Sequence, residues 1–147
     1  MKIRILNISD SDKDRKFWID EFKKRLWNKL EIENIKPEKN WTKENIINKE
    51  TDKIIKKIDK ENNYKILLDI DWEQLNSIEL AKQINKLNHI TFIIAWPYWL
   101  NKEKISKYIN KKISLWRITM PHWLAKLVLL EQIYRSWTIN TNKKYHY

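Results

Sequence analysis

The chain has 147 residues, no cysteine and a formal net charge of +11 at pH 7. This length predicts a single domain over residues 1–147 with its own core, and the absence of cysteine excludes disulfides, thiolate nucleophiles and Cys-based metal sites. No stretch approaches the roughly 18 apolar residues of a membrane span, so we expect a cytoplasmic protein without membrane contact. The positive charge favours contact with the phosphates of a nucleic acid, although many Lys, Asn and Ile residues are also typical of A/T-rich genes.

Strand and helix signals alternate along the chain. Five segments are rich in aliphatic residues with the length and pattern of strands: 2–8, 31–35, 64–70, 89–95 and 112–118. Five others place apolar residues at helical spacing: 13–26, 43–60, a segment capped by Asn76 or Ser77 that extends to Leu87, 102–110 and 122–136. The last helix is apolar around most of its circumference, which favours burial against a partner subunit as well as the sheet.

This alternation predicts an α/β fold with a doubly wound parallel sheet. Ligands of such sheets bind beyond the carboxyl ends of the strands. The sequence therefore predicts a site built from residues 68–72, 95–99 and 115–122.

The glycine and tryptophan counts are unusual. The chain has no glycine and nine tryptophans, whereas average usage predicts roughly ten glycines in this length. Trp72, Trp96 and Trp99 stand at turns after strands, where a bare backbone is useful and an indole has no evident packing partner. We therefore hypothesise that most of these tryptophans are glycines encoded by UGA codons. The competing interpretation is a protein that is genuinely rich in tryptophan.

With glycine restored at those turns, five motifs follow one another in a recognisable order. They are Leu68-Asp69, residues 95–100, Thr119-Met120-Pro121-His122, Glu131-Gln132-Ile133-Tyr134-Arg135-Ser136 and Tyr145-His146. In this order and spacing they resemble the ribosomal RNA large subunit methyltransferase H family of the SPOUT class, over essentially the whole chain. Trp72, Trp96 and Trp99 fall on family glycines, whereas many members carry a true tryptophan at the position of Trp137.

The resemblance implies that a homodimer methylates N3 of a pseudouridine in the large-subunit RNA of the assembled ribosome. It also implies a carboxyl-terminal trefoil knot, one of the rare exceptions to unknotted topology. The implied methyl donor is S-adenosylmethionine. By position, the residues implied to bind it, largely through the backbone, are Leu68, Ala95, Trp96, Trp99, Leu115, Trp116, Arg117, Ile118, Thr119 and Met120.

The same resemblance places His122, Arg135, Tyr145 and His146 near the target base, with Arg135 contacting phosphate or a base carbonyl. Each has a simpler interpretation: His122 satisfies backbone groups at a helix start, and Arg135 pairs with Glu131 one turn away. No residue is identified as a general base. The scattered histidines and carboxylates predict no metal site.

Two other functions compete with this one. A noncatalytic RNA- or ribosome-binding module on the same fold would be favoured by literal tryptophans at 96 and 99. A receiver-like signalling domain is disfavoured, because Asp69 and Asp71 lack the rest of an acidic phosphoacceptor pocket. The chain also departs from the family pattern, since Ala95 replaces the first glycine and Lys126 stands where members usually have arginine.

Overall fold

The computed structural model describes residues 1–10, 12–95 and 100–144. Five strands in this part of the chain form one sheet in the order β2-β1-β4-β3-β5, and every pairing is parallel. The strands are β1 (Lys2–Ile8), β2 (Leu30–Ile35), β3 (Tyr64–Leu68), β4 (His89–Ile94) and β5 (Lys111–Ile113). The predicted parallel sheet is confirmed.

Helices cover both faces of the sheet, as in a doubly wound fold. They are α1 (Lys16–Leu26), α2 (Lys43–Ile58), α3 (Ser77–Asn85), α4 (Lys102–Ser106) and α5 (His122–Asn140). One buried cluster joins α1, α3 and α5 to the side chains of Ile5 and Phe92. The other joins α2 and α4 to Leu6 and Ile93. Neighbouring strand residues thus point to opposite faces, and both faces are apolar because both are covered.

Several element boundaries differ from the predicted ones. The helix expected over 13–26 begins as a 3-10 turn (Lys13–Arg15), α4 ends at Ser106 instead of 110, and α5 continues four residues beyond 136. The predicted strand 112–118 is wrong beyond Ile113. The Ser114 hydroxyl donates to the Trp116 carbonyl (2.7 Å) and accepts from the Trp116 N–H (3.2 Å), which turns the chain out of the sheet.

The predicted cap of α3 is confirmed at Asn76. Its side-chain oxygen accepts from the N–H groups of Ile78 (3.0 Å) and Glu79 (2.9 Å), and the Glu79 carboxylate accepts from the Asn76 N–H at 2.8 Å. This capping box satisfies N–H groups that have no partner inside the helix.

Helix α5 lies between α1 and α3 and packs on β1 and β4. Leu129, Leu130 and Ile133 are fully buried in this arrangement. Neighbours from the same chain therefore account for much of its apolar circumference. The inference of a partner subunit from this helix loses its main support, and the homodimer stays a prediction.

A buried ion pair fixes the first turns of α5. Lys126 is fully buried, and its ammonium donates to both carboxylate oxygens of Asp12, at 2.6 and 2.7 Å, and to Asn34 Oδ1 at 3.1 Å. The Asn34 amide in turn donates to Asp12 at 2.6 Å. Burial lowers the pKa of the Lys126 ammonium, and the hydrogen bond and charge of Asp12 oppose that shift. The network ties α5 to β2 and to the segment that follows β1.

The backbone of Trp27 has an unusual conformation for a residue with a side chain. Its φ of 51° and ψ of −149° lie near a region that glycine alone adopts readily, and its indole is 63% exposed. The environment of Trp137 is different. Its ring packs on the buried cluster around Ile5 and Phe92 and stacks on the Tyr134 ring, with the ring centroids 6.0 Å apart. Glycine at 27 and tryptophan at 137 suit these two conformations, and recoding stays a prediction for every tryptophan of the chain.

Replacing Trp27 by glycine is therefore expected to raise the free energy of unfolding by about 1–3 kcal/mol, because the backbone strain that it removes outweighs the loss of the partly buried indole and its edge contact with Trp137. Trp137→Gly is the matched control and is expected to lower that free energy by at least about 2 kcal/mol through lost packing. Urea unfolding measures both. A loss of stability in the Trp27→Gly variant would contradict the assignment.

Candidate active site

A pocket lies at the carboxyl-terminal edge of the sheet, where strands β3, β4 and β5 end. It encloses about 530 Å³ of empty space, including its open mouth. Its walls come from residues 68–70, residues 94–95, residues 114–116 and 118–120, and the first turn of α5 with His122 and Ala125. The structure thus joins parts of all three segments from which the sequence predicts a site.

The pocket has the character of a small-molecule site. Its lining is mainly apolar with a few polar groups, which is usual for pockets that bind small molecules. Ala95 forms part of the wall, is only 7% exposed and also packs in the buried cluster under α2 and α4, so there is little space around its side chain. Beyond Ser114 the wall is irregular chain, outside the sheet and helices, which presents main-chain donors and acceptors to a ligand.

The structure brings together most of the residues predicted to bind a cofactor. Those that line the pocket are Leu68, Ala95, Leu115, Trp116, Ile118, Thr119 and Met120. Arg117 belongs to the same segment, but it is exposed and is not among the lining residues. Trp96 and Trp99 lie outside the described residues.

His122 is the first residue of α5 and part of the pocket wall. Burial lowers the pKa of its imidazole to about 4, the charge of Lys126 acts in the same direction, and a hydrogen bond to the main chain of Ile8 opposes both. The ring is therefore neutral at pH 7 and cannot act there as a proton donor from a charged imidazolium.

Arg135 lies away from this pocket within the chain. Its guanidinium donates from Nε (2.9 Å) and Nη2 (2.7 Å) to Glu131 Oε1, which is the pairing that the alternative interpretation predicts. Thirteen residues separate it from His122 on one helix, which amounts to about 20 Å along the axis. Tyr145 and His146, the other predicted catalytic residues, lie outside the described residues.

Asp69 is a pocket residue whose side chain the sequence reasoning did not assign to the site. It lines the pocket, and its side chain is only 2% exposed. One carboxylate oxygen accepts from the Asp71 N–H at 3.1 Å, and the other lies 3.2 Å from the Lys102 ammonium. The Leu68-Asp69 motif at the end of an apolar strand was the available signal, but burial of the carboxylate depends on β5 and α4.

Two other kinds of site are not found in the described ranges, 1–10, 12–95 and 100–144. No group of three or more His, Asp or Glu side chains there is arranged to hold a metal ion. No helix within them is both long enough and apolar enough to cross a membrane.

Comparison with known proteins agrees with the fold. A family model described as "Predicted SPOUT methyltransferase" matches residues 1–146, so the class of protein is a SPOUT methyltransferase. Relatives named "Ribosomal RNA large subunit methyltransferase H" include those of Fusobacterium nucleatum (36% identical), Clostridioides difficile (41%) and Mycoplasmopsis synoviae (35%), with 99%, 92% and 99% of each chain covered. The chain belongs to this methyltransferase H family, and membership implies the knotted SPOUT fold.

The lowered pKa of His122 predicts a specific loss of stability in acid. Between pH 6.5 and about 4 the unfolded chain binds a proton at His122 that the folded chain does not. The free energy of unfolding therefore falls as the pH falls through this window, by about 3 kcal/mol in all. His122→Asn should remove this part of the pH dependence.

The control is His89→Asn, because His89 is exposed at the opposite edge of the sheet. Urea unfolding at several pH values compares the three proteins. An equally steep fall between pH 6.5 and 4 in the His122→Asn variant would contradict the burial of a neutral imidazole.

Proposed function

We propose that this protein transfers a methyl group from S-adenosylmethionine to N3 of a pseudouridine in large-subunit ribosomal RNA. The observation that carries the proposal is the pocket, which lies where parallel sheets bind ligands and is lined by seven of the ten positions that the family motifs assign to the cofactor. The printed names of the relatives support ribosomal RNA as the methyl acceptor.

The residues present fit this cofactor. The mainly apolar walls suit an adenine ring, and small Ala95 leaves room beside the end of β4. The irregular chain over residues 115–120 offers main-chain groups for the polar parts of the ligand. When bound, S-adenosylmethionine supplies an electrophilic methyl group on a sulfonium.

The chemical demands on the protein are then limited. The pocket residues orient the donor toward the RNA base and keep water from the methyl group. As the bond between the methyl carbon and N3 forms, the bond from that carbon to the sulfonium sulfur breaks and its electron pair stays on sulfur. The N3 proton leaves to solvent or to a base, and no residue in the described part of the chain is assigned as that base. A neutral His122 adds no positive charge beside the sulfonium, whereas a charged imidazolium would repel it.

Two arginines stand close to the pocket and suit the phosphates of RNA, one of them exposed and the other half-buried. Arg117 lies in the segment that forms the pocket wall and is exposed. On the α5 side the guanidinium of Arg15 lies 4.8 Å from the centre of the Trp123 ring, beside His122 in sequence. Together with the net charge of +11, these groups favour an anionic macromolecule over a small neutral acceptor.

A homodimer completes the proposal. Since Arg135 is about 20 Å from His122 along its own helix, it can approach a target base in this pocket only if a second subunit supplies it. Tyr145 and His146 are proposed at the target on the family motif alone. We place the reaction on cytoplasmic ribosomes and assign no metal to it.

The proposal is tested by transfer of labelled methyl groups to large-subunit RNA, together with calorimetric titration of S-adenosylmethionine. Wild type and Ala95→Gly are expected to bind the cofactor and label the RNA. Ala95→Leu is expected to weaken binding at least about tenfold, because the longer side chain overpacks the end of β4 and displaces the pocket wall there.

Thermal unfolding of the same three proteins separates lost binding from lost folding. If the folded wild type neither binds the cofactor nor labels RNA, the noncatalytic RNA-binding module replaces this proposal.

A further inference from the structure

The wall of the pocket contains one acidic residue, Asp69, among the residues that line it. Its main-chain N–H donates to the Ile113 carbonyl at 2.9 Å, which joins the end of β3 to β5. Its carboxylate accepts from the Asp71 N–H at 3.1 Å, and the side chain is 2% exposed. The position of this negative charge is therefore fixed by the sheet and by the turn that follows it.

The counter-charge of Asp69 lies on the solvent side. The Lys102 ammonium is 3.2 Å from Asp69 Oδ2 and 3.6 Å from Asp71 Oδ2, and the Lys102 side chain is 42% exposed. Lys102 is not among the lining residues of the pocket. Because the lysine lies outside the pocket lining and is screened by water more than the carboxylate is, it offsets the charge of Asp69 in the pocket only in part.

We propose that Asp69 makes the pocket select the cationic methyl donor over the neutral product of the same reaction. This inference rests on the proposed function. S-adenosylmethionine carries a net charge of +1 at pH 7, because its sulfonium adds to a zwitterionic amino acid, whereas S-adenosylhomocysteine has no net charge. A buried carboxylate in an apolar wall stabilises the former and has little effect on the latter. Methyl transfer removes the favourable charge and so promotes release of the product.

Asp69 is a positioning and specificity residue in this account, and the ratio of two affinities measures its role. Calorimetric titration gives the dissociation constants of the two ligands with the intact protein. Asp69→Asn is expected to reduce the preference for S-adenosylmethionine over S-adenosylhomocysteine about tenfold, mainly by weakening the cationic ligand.

Asp71→Asn is the matched control. Asp71 contacts the same lysine, but its side chain is 60% exposed and does not line the pocket. The preference is expected to change less than about twofold in this variant, because solvent screens the charge that is removed.

Lys102→Met distinguishes an electrostatic role of Asp69 from a purely structural role of the Asp69–Lys102 pair. It removes the counter-charge of Asp69, so the preference for the cationic ligand should rise severalfold, whereas a purely structural role of the pair would weaken both ligands together. If Asp69→Asn does not fold, Lys102→Met alone decides the question. An unchanged or lower preference for S-adenosylmethionine in the Lys102→Met variant overturns the inference.

The two proposals fail in different ways. If the wild type binds neither ligand, the proposed function is wrong. If the wild type binds both, and Asp69→Asn leaves their affinity ratio unchanged, the function stands and the role of Asp69 is wrong.

Discussion

The contact between Lys126 and Asp12 determines where helix α5 begins on the sheet. A fully buried ammonium is stable only with its charge paired and its protons bonded, and Asp12 and Asn34 supply those partners. Loss of the Asp12 charge would leave the Lys126 ammonium buried and unpaired. The network therefore holds the amino end of α5 against the carboxyl ends of β1 and β2, and it brings His122 and Ala125 to the wall of the pocket.

The pocket follows from this placement and from the parallel sheet. Strands β3, β4 and β5 all end at the same edge, so loops that are far apart in sequence meet there. β5 ends at Ser114, and the irregular chain that follows forms one wall of the pocket. At the end of β4 the small side chain of Ala95 takes up little space. The low pKa of His122 and the buried charge of Asp69 follow from the same packing of strand ends and loops, since each side chain lies where water is largely excluded.

Much of this arrangement can be predicted from the sequence because it depends on local patterns of residues. Strand β1 was predicted at the residues where the structure has it, the cap of α3 was predicted at Asn76 or Ser77 and lies at Asn76, and the predicted strand ends indicated the segments of the pocket. The rest depends on contacts between distant residues. The apolar residues after Ile113 favoured a longer strand, but the hydrogen bonds of Ser114 end the strand there. The backbone strain at Trp27 has no signature in the local sequence. Periodicity likewise could not show that α1 and α3 cover α5.

Amide hydrogen exchange tests whether the pocket binds the proposed methyl donor largely through main-chain groups. With saturating S-adenosylmethionine, exchange is expected to slow in peptides that cover residues 68–70 and 114–120, with no change at the amino edge of the sheet around Lys2 and His89. Unchanged exchange in both of those segments, or slowing confined to the opposite edge, would contradict the account.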